Sequence, residues 1–256
     1  MGTRGEPGEG FGLSIPGLAL PALPDAARLT LPPREDTPGD VTLGGYLWRQ
    51  PSPAPAALLL HGWGQDASDM AVPARLLHAA GWHAVSLSLR GWRGSGGCDD
   101  YGRSGPGDLG RVLAWLEAQP WVTQTAVVGL SLGGLVALLA AAQGHRAGRT
   151  VAVNPPADLR GVYAGTTSGI LRRYYDAVLT QAQWVDGSPL THAEQIGGPT
   201  WVVIGPEDRI CPPELGRTLA ARAGARLVEV PDMAHVPDEA GWARVVAETL
   251  TAGADL

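Results

Sequence analysis

From residue 56 onward, short apolar runs of strand length alternate with longer stretches in which apolar residues recur every three or four positions. The runs lie at 57–60, 82–89, 126–128, 150–153, 200–204 and 226–230, and the helical patterns at 68–80, 131–143, 214–223 and 241–250, with one more around Leu109, Val112, Leu113 and Leu116. Strands nearly continuous in apolar residues and separated by helices predict a mostly parallel sheet covered on both faces, an α/β architecture. Ahead of this region, 26–31 and 41–48 read as two strands joined by a Pro- and Gly-rich turn at 32–40, an antiparallel edge to the same sheet. Residues 1–24 show little periodicity and are rich in Gly and Pro, so a loosely ordered N-terminal arm is expected there, with 25–256 forming a single domain.

The alternation lapses at 157–198. Leu171, Tyr174, Tyr175, Val178 and Leu179 fall on one helical face within it, with Arg172, Arg173 and Asp176 outside that face. A short helical cap inserted into the domain is the expectation.

Composition narrows the function classes. With 45% hydrophobic and 17% charged residues over 256 positions, the chain can bury one full core. The net charge of −6 is mild and unclustered, which gives nucleic acid no basic patch to bind. All 19 basic residues counted as Lys+Arg are arginine, a composition bias without chemical content. Cys98 and Cys211 are too few for a disulfide framework and have no metal-ligand spacing, so no metal site is expected and a reducing, cytoplasmic location is. The first residues lack the apolar core of an export signal, and the apolar run at 132–142 is too short to span a bilayer, so no membrane association is expected.

Chemistry concentrates at Gly129-Leu130-Ser131-Leu132-Gly133, where the strand at 126–128 turns directly into a helix. A serine on such a corner forces the backbone two residues away on either side into close approach, which Gly129 and Gly133 permit. A serine hydroxyl needs a base to take its proton and an anion to orient that base. Asp208 follows the strand at 200–204 and His235 follows the last strand, so a parallel sheet presents both on the same rim as Ser131. Glu207 and Asp232 are the competing carboxylates. Attack on a carbonyl also creates an oxyanion, for which the backbone N–H of Leu132 and that of Trp63, in the loop His61-Gly62-Trp63-Gly64, are the expected donors.

These residues give the chain a resemblance to the serine hydrolases of the α/β-hydrolase superfamily, over about 41–250. The loop Arg90-Gly91-Trp92-Arg93-Gly94-Ser95-Gly96-Gly97 and the helix ending in Pro120 further resemble prolyl-oligopeptidase-like catalytic domains and their esterase relatives. The resemblance implies hydrolysis of an ester, thioester or amide through an acyl-enzyme without cofactor. Those oligopeptidases carry a large propeller domain for which 256 residues leave no room, so a carboxylesterase acting on small acyl groups is the favoured expectation. A thioesterase, acyltransferase or small-peptide hydrolase stands as the alternative on the same residues, and a non-catalytic binding protein of the same fold as the alternative of another class. Tyr163, Tyr174, Tyr175 and Trp184 are candidates to line a substrate pocket beneath the cap; aromatic residues at such spacing also simply pack.

Overall fold

A computed structural model describes residues 18–251. Eight strands form one sheet in the order β1-β2-β4-β3-β5-β6-β7-β8. β1 (Ala27–Leu31) pairs antiparallel with β2 (Leu43–Trp48), and β2 pairs antiparallel with β4 (His83–Leu87). All remaining neighbours are parallel: β3 (Ala54–Leu60), β5 (Val122–Leu130), β6 (Arg149–Val153), β7 (Thr200–Ile204) and β8 (Arg226–Glu229). The central strands are buried on both faces, whereas β1 and β8, at the two edges, are largely exposed.

Strand periodicity divides the core in two. On β3, Leu58 and Leu60 face α2 (Gly105–Glu117) and α3 (Leu132–Ala142), while Ala57 and Leu59 face α1 (Ala71–Ala79). α8 (Glu239–Val246) joins α1 on its side, and α7 (Pro213–Ala223) packs through Leu219 and Ala220 against Val202 and Ile204 on the other. α3 is apolar all round and buried along almost its whole length, as a helix enclosed on every side must be.

The differences from the sequence pattern have local causes. β3 begins at Ala54, three residues before its apolar run, and its register against β5 shifts between Ala54 and Ala56. Pro55 lies at that irregularity, where its missing N–H is tolerated. The helix at 68–80 is a short 3-10 turn, Ala67–Met70, capped by Asp66, followed by α1. The closing helix starts earlier, at Glu239, because Asp238 caps it, and loosens into a π turn at Ala247–Thr251.

Residues 1–17 of the expected N-terminal arm lie outside the described residues. The rest of the arm, 18–24, is held down rather than loose: Leu20 is buried, the Gly94 N–H donates to the Leu18 carbonyl, and Tyr46 donates its hydroxyl hydrogen to the Pro21 carbonyl. The segment 157–198, between β6 and β7, holds α4 (Leu159–Gly165), α5 (Gly169–Val178), α6 (Gln183–Asp186) and a 3-10 segment Pro189–Gln195. Asp158 and Ser168 cap α4 and α5 with their side chains. Among the described residues, no helix is long and apolar enough to cross a membrane.

Candidate active site

Four strand ends build the site. β5 runs into α3 through Ser131, whose backbone is left-handed at φ 49°, a conformation few residues other than Gly adopt. The corner is tight: a Cβ on Gly129 would lie 2.2 Å from the Gly133 carbonyl oxygen, and one on Gly133 would lie 2.3 Å from that of Leu60. Backbone bonds lock the corner into its neighbours, with Ser131 N–H donating to Val153 at 2.8 Å and Gly133 N–H donating to His61 at 3.1 Å.

The loops after β7 and β8 bring in the other two groups. Asp208 Oδ2 lies 2.7 Å from His235 Nδ1, and His235 Nε2 lies 3.0 Å from Ser131 Oγ. The other Asp208 oxygen accepts the N–H groups of Ile210 at 2.7 Å and Cys211 at 3.0 Å. These three interactions satisfy a carboxylate whose side chain is only 1% exposed. Glu207 and Asp232 are exposed and have no bond to the imidazole. Ser131 and His235 keep limited access to solvent, at 7% for the residue and 18% for the side chain respectively.

The loop after β3 closes on the same point. A Cβ on Gly62 would stand 3.4 Å from Ser131 Cβ, and the Gly62 N–H is fixed by Gln65 Oε1 at 2.8 Å. Neither the Trp63 N–H nor the Leu132 N–H has an acceptor among the described residues, which leaves both free at a corner where a reacting carbonyl would sit. His61 is wholly buried, its Nε2 accepting the Leu89 N–H at 3.0 Å and its Nδ1 lying 2.7 Å from the Gly62 carbonyl. That arrangement fixes a neutral tautomer, and burial lowers its affinity for a proton; the ring braces the loop and does not face Ser131.

The four aromatic candidates separate. The Tyr174 ring packs 4.8 Å from that of Trp63, and its hydroxyl donates to Asp99 Oδ2, so Tyr174 adjoins the loop beside Ser131. Burial pushes the Asp99 carboxyl up from the ordinary range while the Tyr174 bond opposes that rise. Tyr175 is fully buried with its hydroxyl on that of Tyr101, a packing role. Tyr163 and Trp184 stack edge to face at 5.4 Å, with the Tyr163 hydroxyl bonded to Asp176 at 3.2 Å. Arg172 is spent on the Tyr163 and Thr166 carbonyls, which ties α5 to α4.

Two residues at the site are invisible to pattern reading. Asn154, at the end of β6, is 2% exposed and left-handed at φ 45°. Its amide donates to the carbonyls of Ala234 at 3.1 Å and His235 at 2.9 Å, and its oxygen accepts the Gly205 N–H at 2.8 Å. One side chain therefore clamps the loop carrying His235 to the loop that leads to Asp208. The other is Cys211, a buried thiol beside His235 and Asp208. Its sulfur, a His235 nitrogen and an Asp208 oxygen all lie within 4.8 Å of one another, a grouping that cysteine spacing along the chain does not show. The folding of distant loops creates this set.

The eight-stranded sheet with helices on both faces is an arrangement that this chain shares with solved hydrolase structures. Esterase Pf2001 of Pyrococcus furiosus superposes with a TM-score of 0.70 at 19% identity, covering 91% of this chain and 98% of that one. The chain has the α/β-hydrolase fold. The ferulic-acid complex of Est1E from Butyrivibrio proteoclasticus aligns at a TM-score of 0.64 and 17% identity, covering 82% of this chain and 96% of that one. Puromycin hydrolase aligns at 0.70 and 20%, covering 87% of this chain but 38% of that one. In sequence, residues 46–172 match the X-Pro dipeptidyl-peptidase (S15) family, a stretch that includes the serine corner and stops before Asp208 and His235. No curated protein matches the chain in sequence.

Proposed function

We propose that this α/β-hydrolase is a serine carboxylesterase that cleaves esters of small acyl groups through an acyl-enzyme. The observation that carries the reading is the unbroken line from Asp208 through His235 to Ser131, with spacings of 2.7 and 3.0 Å. In this mechanism the Ser131 hydroxyl attacks the ester carbonyl carbon while His235 Nε2 takes its proton. Asp208 accepts the Nδ1 hydrogen, which keeps Nε2 free as the base and stabilises the imidazolium that forms. The oxyanion accepts hydrogen bonds from the N–H groups of Trp63 and Leu132. Collapse of the intermediate expels the alcohol, which takes the proton from His235; water then repeats the sequence on the acyl-enzyme and releases the acid. No cofactor or metal enters these steps. The segment 157–198 serves as the cap, and Tyr174, stacked on Trp63, is its contact with the acyl site.

The test is Ser131→Ala on a short p-nitrophenyl ester. Turnover falls by on the order of a million-fold if the three residues act as a unit, and a fluorophosphonate probe labels Ser131 in the folded protein and nothing else. Retained turnover would remove Ser131 as the nucleophile, and absence of labelling in the folded protein would favour the binding role. The S15 match gives one second reading a specific footing, a hydrolase of small peptides or other amides. Competing ester and amide substrates separate the two, since an esterase leaves the amide intact under conditions that exhaust the ester.

A further inference from the structure

We propose that Cys211, His235 and Asp208 form an inhibitory site for a thiophilic divalent cation such as Zn2+, built from two members of the proposed triad and one residue outside it. The three donor atoms lie within 4.8 Å of one another. A tetrahedral zinc shell, with Zn–S of about 2.3 Å and Zn–N or Zn–O of about 2.0–2.1 Å, sets neighbouring donors roughly 3.3–3.6 Å apart. Closing the remaining gap takes about 1 Å or a little more at the widest pair, within the reach of side-chain rotation on a fixed backbone.

The donor set suits that ion. One thiolate, one imidazole and one carboxylate make a mixed ligand set that zinc accepts, and three protein ligands leave a fourth position for water. Two of the three come from a single turn: the Cys211 N–H donates to Asp208 Oδ1 at 3.0 Å, which fixes the spacing of the two residues before any ion arrives. The third is delivered by the loop after β8, already bonded to Asp208 at 2.7 Å.

The competing role for Cys211 is inert packing, since the residue is 5% exposed and belongs to the core cluster that contains Tyr101 and Tyr175. Packing alone calls for a small apolar side chain there, whereas this sulfur lies within 4.8 Å of a His235 nitrogen and an Asp208 oxygen. Burial and the neighbouring Asp208 carboxylate keep the thiol protonated at rest, so binding proceeds by exchange: the cation takes the sulfur and the thiol proton leaves to solvent. If the ion takes Nδ1, the ring proton moves to Nε2, which then faces Ser131 as a donor; if the ion takes Nε2, the lone pair that would accept the serine proton is consumed. Either outcome removes the base.

The effect on turnover rests on the proposed triad, but binding itself does not. The chain has 2 cysteines, so Cys98→Ala leaves Cys211 as its single thiol. Titrating that protein with Cd2+ is expected to give a saturable thiolate-to-metal absorption band at one ion per chain, and Cys211→Ser or Cys211→Ala in the same background to abolish it. Zn2+ is expected to inhibit ester hydrolysis reversibly, with a chelator restoring the rate. Each Cys211 variant, normalised to its own rate in chelator, requires at least about tenfold more Zn2+ for the same inhibition. Absence of the band in the Cys98→Ala protein overturns the site, whatever the activity. Equal Zn2+ sensitivity with and without the Cys211 sulfur overturns it as well. A band in a protein without esterase activity keeps the metal site and rejects the esterase.

Discussion

Replacing Asn154 tests whether the clamp between the acid and base loops sets catalysis. Its amide makes three hydrogen bonds of 2.8 to 3.1 Å in a residue that is 2% exposed. In Asn154→Ala the buried Gly205 N–H loses its acceptor, a cost of about 1–3 kcal/mol, while the Ala234 and His235 carbonyls, which lie nearer solvent, recover part of their loss from water. Alanine at φ 45° adds about 1 kcal/mol of backbone strain that asparagine largely avoids. The sum is about 2–4 kcal/mol, a large share of the stability of an ordinary domain. The same change frees the backbone of His235, and a displacement of about 1 Å at a catalytic group costs roughly a hundredfold in rate. Urea unfolding should therefore show the loss of stability, and ester hydrolysis a fall in kcat with little change in KM, because Asn154 does not meet substrate. Asn154→Gly removes the backbone strain but not the missing amide, so it should recover about 1 kcal/mol and little of the rate. Wild-type kcat in Asn154→Ala, or an unfolding free energy within about 0.5 kcal/mol of wild type, would refute the clamp.

Asp208→Asn should lower turnover about ten-thousandfold by stabilising the wrong imidazole tautomer, whereas Asp232→Asn, at an exposed left-handed position that asparagine accepts, should leave it near wild type; ester kinetics on both decide the acid. Gly129→Ala should prevent soluble folding, since its Cβ would meet the Gly133 carbonyl at 2.2 Å, while Gly107→Ala, exposed on α2 with nothing within 4 Å, should raise stability by about 0.5–1 kcal/mol; expression and denaturant midpoints read both. His61 and His83 are buried with proton affinities lowered mainly by desolvation, so the unfolded chain takes up protons below about pH 6.5 that the folded chain refuses. Their contribution to stability is full above that pH and lost as pH falls below it; a urea midpoint unchanged between about pH 8 and pH 5 would contradict the assignment.

Strand and helix alternation was legible because each central strand is buried on both faces and so reads as a plain apolar run. Legibility failed where another interaction overrode the pattern. Val122 to Gln124 are polar or half-exposed, yet they extend β5 because β3 continues alongside them as far as Ala54. Within 157–198 the one helix with a clear apolar face, α5, was readable, whereas α4, α6 and the 3-10 segment span 7, 4 and 7 residues, too few for a period to declare itself. Residues 18–24 carry no periodic pattern, because a single buried leucine, Leu20, and bonds to Arg28, Tyr46 and Gly94 hold them rather than a repeating face.

The placement of Ser131, Asp208 and His235 was readable for a different reason. In a parallel sheet every strand delivers its following loop to the same rim, so chain order alone predicts that three chemically distinct residues will converge. That argument extends to every residue on the rim, but it selects only those whose chemistry is distinctive in isolation. Asn154 follows β6 on the same rim and acts through bonds to residues 51, 80 and 81 positions away, so nothing local marks it. Cys211 is three residues from Asp208 but meets His235 only when the loop after β8 folds over it. A rim of this kind holds more chemistry than its motif reveals, and the unread residues are those whose partners lie far along the chain or on another loop.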